Sequence, residues 1–318
     1  MDSTGHGAQP GGMVIDTPLP CSEQSLQTGE PMLGTAAAGV GVWLLLEHRG
    51  PWAAELGDCE LEPAVRQRLD ELESRYSSLR VLLIRRPEAS GPLSLYVVTT
   101  GGPGAVHHFD LTEPADLCAI DVAEIISGEA TTTMHAHPLY LVCTHGQRDA
   151  CCGHHGTAFF EALAAQDPAA DVWQSSHQGG HRFAPTVLYL PAGIQYGRLE
   201  PGEAATLVEA HNRGEIFAMC RYRGQTRYER PAQSAEAWLR EQQALVTIEG
   251  IELIDQSSLA GGRYAVQFRT QEGMWHRLVI ESRLDTVGRR VSCTAEVPEL
   301  PTWYDVVRHE AHTRRVGR

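Results

Sequence analysis

Apolar and polar positions follow different rhythms in different parts of the chain. Residues 40–46 read Val-Gly-Val-Trp-Leu-Leu-Leu, an unbroken apolar run that predicts a strand buried on both faces. Glu62-Pro63 then opens a helix, because proline suits the first helical position. Val65, Leu69, Leu72 and Tyr76 recur along it every three or four residues, the spacing of one helix face. Residues 80–86 and 93–99 read as two more apolar strands. The order strand, helix, strand, strand predicts a small α/β layer unit.

A similar order returns further on. Residues 139–142 read as a short buried strand that delivers Cys143. Residues 158–165 are apolar and helix-prone, and residues 172–173 read as a strand leading to His177. Residues 186–190 and 194–198 flank Pro191-Ala192-Gly193, a hairpin signal. Pro201 starts a helix that runs to about Asn212 and stops near Gly214. The echo of the first unit predicts an internal structural duplication.

The last part differs. A helix at residues 234–245 precedes four stretches of alternating character, 246–255, 263–270, 274–282 and 291–297. Gly261-Gly262 and Glu272-Gly273 punctuate them, so an antiparallel meander with one helix is expected. Residues 1–30, rich in Gly, Pro, Ser and Thr, read as disordered. Residues 305–318 read as an Arg- and His-rich tail without a core pattern. The predicted organisation is α/β: a disordered segment (1–30), two α/β units (31–136 and 137–228), a small antiparallel β-rich α+β domain (229–304) and a tail (305–318).

Charge narrows the function. The net charge of −14 argues against nucleic-acid binding. Residues 1–136 hold 19 acids and 7 arginines, a net of −12, whereas residues 137–228 and 229–318 each carry −1. All 26 basic residues are arginine, which excludes a lysine Schiff base or P-loop lysine mechanism. No run approaches the roughly 20 apolar residues of a membrane span. The N-terminal residues lack the basic and apolar regions of a secretory signal. A cytoplasmic protein without membrane or nucleic-acid partners is expected.

Eight cysteines in 318 residues are too few and too scattered for a disulfide scaffold, and cysteine near histidine in a reducing compartment points to metal or redox work. Cys21, Cys59, Cys118, Cys151, Cys220 and Cys293, taken singly, read as small buried hydrophobes. Cys143 and Cys152 stand in a C-x8-C spacing, and His177 and His181 in an H-x3-H spacing around Gly179-Gly180. Three metal readings compete. Structural zinc accepts two cysteines and two histidines, although its usual frameworks space the first cysteines two to four residues apart. A Rieske-type centre would use Cys143, His145, Cys152 and His155, but with only six residues between His145 and Cys152 the insertion that folds over such a centre is missing. The third reading joins Cys143, Cys152, His177 and His181.

Three segments carry a family resemblance. They are Cys143-Thr-His-Gly-Gln-Arg-Asp-Ala-Cys-Cys-Gly, Trp173-Gln-Ser-Ser-His-Gln-Gly-Gly-His-Arg-Phe-Ala and Pro191-Ala-Gly-Ile-Gln-Tyr-Gly-Arg-Leu. They resemble the sucrase/ferredoxin-like family, as do Gly34-Thr-Ala and Glu47-His-Arg-Gly-Pro-Trp. The likeness spans about residues 20–225 and leaves residues 230–318 outside. It implies two tandem thioredoxin-like units, the first (31–136) without and the second (137–228) with a [2Fe–2S] cluster. By position the implied ligands are Cys143, Cys152, His177 and His181, with Cys151 as the alternative to Cys152. Arg182 and Arg198 are candidates to hydrogen-bond sulfur.

The implied function is ferredoxin-like electron transfer, with a reductase and an electron acceptor as partners. The rivals are a structural zinc-binding interaction protein, a thiol oxidoreductase using Cys151 and Cys152, and a glycoside hydrolase. Adjacent cysteines are not the C-x-x-C of thioredoxins, and no acidic pair stands out as the two carboxylates that a glycosidase needs. A redox carrier is favoured over an enzyme.

Overall fold

A computed structural model describes residues 19–87, 89–101, 104–130, 134–166 and 171–313. In chain order the elements of the first half are α1 (Cys21–Gln27), β1 (Val42–Glu47), α2 (Pro63–Arg75), β2 (Leu79–Arg85), β3 (Leu93–Thr99), β4 (Ala105–Leu111) and α3 (Val122–Ser127). The second half follows with β5 (Leu139–Cys143), α4 (Ala150–Ala164), β6 (Asp171–Ser175), β7 (Val187–Leu190), β8 (Ile194–Tyr196), α5 (Ala204–Asn212) and β9 (Tyr222–Gln225). The chain continues through α6 (Arg230–Gln243) to β10 (Ile251–Leu259), β11 (Arg263–Thr270), β12 (Met274–Leu284) and β13 (Thr302–Thr313).

Nine strands form one mixed sheet in the order β4-β3-β1-β2-β6-β5-β7-β8-β9. In the first half β1 and β2 are parallel across α2, β3 is antiparallel to β1, and β4 is antiparallel to β3. In the second half β5 and β6 are parallel across α4, β7 is antiparallel to β5, and β8 is antiparallel to β7. The same connection order thus occurs twice. The halves meet where β2 pairs antiparallel with β6, Ile84 opposite Ser175 and Arg85 opposite Gln174.

The apolar runs divide by strand periodicity. Val42, Leu44 and Leu46 face the helices of the first half, α2 and α3, through Leu69, Leu72 and Ile125. Tyr140 and Val142 do the same with Phe159 and Phe160 of α4 and Leu207 of α5. The alternate residues Trp43 and Leu45, with Leu139 and Leu141, join a third core that spans both halves and includes Trp173, Leu188 and Leu190. Burial on both faces explains why these strands lack alternation.

A separate four-stranded antiparallel sheet runs β10-β11-β12-β13. Helix α6 serves both sheets. Ala232, Ala235 and Leu239 pack against Val266, Phe268, Leu278 and Ile280, while Ala237 belongs to the core of the second half. On the same helix Glu236 and Arg240 form a fully buried ion pair at 2.7 Å. Glu236 also accepts from Tyr222 Oη at 2.7 Å, and Arg240 donates to the carbonyls of Leu245, Thr247 and Ile248.

Three expectations change. Of the segment expected as disordered, residues 1–18 lie outside the described residues, but α1 is a helix with Cys21, Ser22 and Ser25 buried. Its anchor is Glu30, which accepts from Ser25 at 2.6 Å and from Arg182 at 2.7 Å. Residues 291–297 form no strand, because the Cys293 N–H is committed to Asp149 at 2.7 Å instead of to a ladder. The fourth strand is β13, in the stretch expected as a tail. It pairs with β12 from Leu284 opposite Thr302 to Met274 opposite Thr313, so backbone pairing holds it where the side-chain pattern gives no signal. Residues 314–318 lie outside the described residues.

Candidate metal centre

Strand β5 ends on Cys143, fully buried and opposite Ser175 at the end of the parallel strand β6. Parallel strands bring their carboxyl ends to the same edge, so Cys143 and the loop carrying His177 emerge side by side. Asp149 caps α4 by accepting from the Cys151 N–H at 2.9 Å. That cap starts α4 eight residues before the expected helix segment, and it puts Cys152 in the first turn. The N-terminal end of a helix favours a thiolate. Gly156 sits inside α4 although glycine costs about 1 kcal/mol there. A Cβ at Gly156 would lie 2.0 Å from the Cys143 carbonyl oxygen, so α4 crosses the end of β5 only with glycine at this point.

The His177–His181 loop turns through Gly179 (φ 90°) and Gly180 (φ 78°). A Cβ at Gly180 would meet the Arg223 guanidinium at 2.4 Å. Arg223, on β9 and fully buried, donates to the Gly179 carbonyl at 3.1 Å and to Thr35 Oγ1 at 3.2 Å. Burial pulls its guanidinium down to about 9, so it stays protonated at neutral pH and braces the loop from below. The sequence reading missed Arg223 because β9 is four residues long and sits in a polar stretch.

Cys143, Cys152 and His177 have ligand atoms that all lie within 4.8 Å of one another. His181 stacks on His177 with ring centroids 4.4 Å apart and planes 17° apart. The neighbouring Cys152 thiol, with His177, holds Cys143 well below the ordinary thiol range, while Cys143 and burial raise Cys152. Burial pushes His181 down to about 4, with the neighbouring His177 adding to the effect. The buried Nδ1 atoms of both His177 and His181 lack a hydrogen-bond partner among the described residues. Buried polar atoms are rarely left so. Two sulfurs and two imidazoles, each with an unpartnered Nδ1, are a donor set that suits a metal or an iron–sulfur centre.

The other candidates point elsewhere. His145 is held by the Ala53 carbonyl at 2.8 Å and stands edge-on to Trp52. His155 meets Ser22 Oγ at 3.3 Å. Neither joins the Cys143 group. Cys151 lies 3.6 Å from Cys21 and 3.3 Å from Cys293, away from Cys152's set. Among the described residues Arg182 and Arg198 make no bond to sulfur: Arg182 donates to Glu30, and Arg198 to Ser25 and the Glu30 carbonyl.

The sequence profile of the sucrase/ferredoxin-like family matches residues 36–224. A protein of Meyerozyma guilliermondii named altered inheritance of mitochondria protein 32 is 32% identical over 95 residues, 27% of this chain and 34% of that protein. Its namesake in Debaryomyces hansenii is 35% identical over 96 residues, 27% of this chain and 35% of that protein. This chain therefore spans about a third of the length of these curated relatives. A solved structure, a thioredoxin-like [2Fe–2S] ferredoxin from Aquifex aeolicus, aligns at 18% identity and TM-score 0.25 over 28% of this chain and 91% of that one.

Proposed function

The chain belongs to the sucrase/ferredoxin-like family, and from that premise we propose that it is a one-electron carrier whose [2Fe–2S] centre is held by Cys143, Cys152, His177 and His181. The observation that carries this reading is the convergence of two cysteine sulfurs with His177, on which His181 stacks, the buried Nδ1 atoms of both imidazoles having no partner among the described residues. When bound, such a centre supplies reversible one-electron exchange, and two imidazoles in place of two thiolates raise its potential from about −400 mV toward about −150 to +300 mV.

The chain's own residues prepare this site. Cys143, already biased toward thiolate by the Cys152 thiol, offers sulfur in the form that binds metal. Burial keeps His181 neutral at neutral pH, the ligating form of imidazole. Arg223 and the glycine pair fix the loop, and Gly156 lets α4 close over Cys143. His177 and His181 are partly exposed whereas Cys143 and Cys152 are buried. A redox partner accordingly docks over the histidine loop, and we assign a reductase and an acceptor protein as the two partners. The halves of the nine-stranded sheet are read as two thioredoxin-like units, of which the second carries the centre.

The described cysteines are all unpaired, which suits the reducing cytoplasm. No helix among the described residues is long and apolar enough to cross a membrane. The rival thiol oxidoreductase needs Cys151 and Cys152 to act together, yet their sulfurs belong to different groups. The test is anaerobic purification from iron-replete cells. The proposal expects two iron and two sulfide per chain, the composition of the cluster named, and a rhombic electron-paramagnetic signal on one-electron reduction. A colourless chain holding zinc at Cys143 and Cys152 would overturn it.

A further inference from the structure

A second group of ligand-bearing side chains lies beside the first and shares none of its members. Cys21, Asp149, Cys151 and Cys293 have ligand atoms all within 4.8 Å of one another. Cys21 opens α1, Cys151 lies in the first turn of α4, and Cys293 lies between β12 and β13. They come together across 130 and 142 residues of sequence. Asp149 and Cys151 lie within residues 36–224, where the family profile matches, and Cys21 and Cys293 lie outside them.

Its spacings come close to those of a tetrahedral ion site. The three sulfurs form a triangle with edges of 3.6, 3.3 and 3.6 Å. Zinc–sulfur bonds of about 2.3 Å at tetrahedral angles require sulfur–sulfur edges of about 3.8 Å. The Asp149 oxygens lie 3.7 and 3.8 Å from the Cys21 sulfur, against about 3.5 Å for a tetrahedral pair of sulfur and carboxylate ligands. Movements of a few tenths of an ångström admit an ion at the centre. A disulfide joins two sulfurs, whereas here three stand in mutual contact with a carboxylate.

The surrounding hydrogen bonds are those that orient metal ligands. Ser22 Oγ donates to the Cys151 sulfur at 3.2 Å, and the Cys21 N–H donates to the Cys293 sulfur at 3.5 Å. The Cys151 and Cys293 N–H groups donate to Asp149 at 2.9 and 2.7 Å. Each takes one carboxylate oxygen, and each oxygen keeps a further lone pair. Cys21, Cys151 and Asp149 are buried and Cys293 is half-buried. Beside them Arg290 donates to the carbonyls of Cys293 and Leu19, and Arg289 to Thr28 Oγ1 at 2.8 Å. The β12–β13 connection and α1 therefore already lie against each other.

We propose that Cys21, Cys151, Cys293 and Asp149 bind one zinc ion in a closed structural site that fastens α1 and the β12–β13 connection to the first turn of α4. Binding takes all three cysteines as thiolates, releases the protons still held on them and transfers no electron. The site holds still the helix turn that carries Cys152, and it ties the C-terminal sheet to the neighbourhood of the candidate iron–sulfur centre.

Metal analysis of the full chain tests this separately from the iron–sulfur reading. The proposal expects one zinc per chain, lost in Cys21→Ser and Cys293→Ser while iron stays. His181→Ala should lose iron while zinc stays. Cobalt added to chelator-treated chain should give thiolate charge-transfer absorption and tetrahedral d–d bands, absent in Cys293→Ser. The same bands in Cys143→Ser, whose neighbouring group lacks a sulfur, keep the test readable where a variant of this group folds poorly. Chelation should also speed trypsin cleavage after Arg289 or Arg290 by on the order of tenfold, as local opening is released. Three results would overturn the proposal: no zinc with a silent cobalt spectrum, a disulfide between any two of these cysteines in the purified chain, or iron in place of zinc at this group.

Discussion

Cys151 and Cys152 are adjacent in sequence, yet their sulfurs serve different groups. Cys152 groups with Cys143 and His177, while Cys151 lies 3.3 Å from Cys293 and 3.6 Å from Cys21. Successive residues in the first turn of a helix point about 100° apart, and the two groups lie on those two sides. Cys152→Ser is expected to bleach the protein and Cys151→Ser to leave the visible spectrum intact. Visible absorption and iron per chain in the two variants check this, and the reverse pattern would shift the ligand register by one.

Gly180 tests the brace under the histidine loop. Alanine there takes a left-handed conformation at a cost of about 1–2 kcal/mol, and its Cβ falls on the Arg223 guanidinium. Gly180→Ala should lower iron occupancy and raise the rate of iron release to a chelator. Gly202→Ala, where a Cβ meets nothing within 4 Å, should do neither.

The buried Glu236–Arg240 pair tests how α6 joins the two sheets. Removing one partner of a buried pair leaves an uncompensated charge and costs about 3–5 kcal/mol. Glu236→Ala also strips Tyr222 of its acceptor. Its urea midpoint should fall accordingly, whereas Glu252→Ala, which removes an exposed pair with Arg269, should change stability by less than about 1 kcal/mol.

His211 sets a pH dependence. It lies between the hydroxyls of Tyr140 and Tyr196, each 2.9 Å from one ring nitrogen, and burial pushes its imidazole down to about 3. Below the unfolded value of about 6.5 the unfolded chain binds a proton that the folded chain refuses. Stability should therefore fall as pH drops from about 6.5 toward 3, by up to about 1.4 kcal/mol per unit from this residue. Urea unfolding between pH 7 and 5 measures the slope, and it should be shallower in His211→Gln.

How much of this was legible in the sequence follows from which forces leave a local mark. Leu44 and Leu45 face different cores, and a run buried on both sides is visible as a run. The spacing of Cys143 and Cys152 is local too, since one strand end and one helix turn carry both. Strand β13 is not legible, because Trp303 is its one buried residue and backbone pairing to β12 defines it. Arg223 and the Cys21–Cys151–Cys293 group are equally hidden. Their partners are distant in sequence, and three cysteines that read singly as small hydrophobes become a donor set only when the chain is folded.

Four histidine variants decide the ligand assignment at the centre. His177 stands beside Cys143 and Cys152 and His181 stacks on His177, whereas His145 is bound to Ala53 and His155 to Ser22. Iron and acid-labile sulfide per chain are to be measured in His177→Ala, His181→Ala, His145→Ala and His155→Ala after identical anaerobic purification. The expected result is loss of iron and sulfide in the first two variants, with wild-type content in the last two. Retention in His177→Ala and His181→Ala, with loss in His145→Ala and His155→Ala, would contradict it and place the centre on the other pair of histidines.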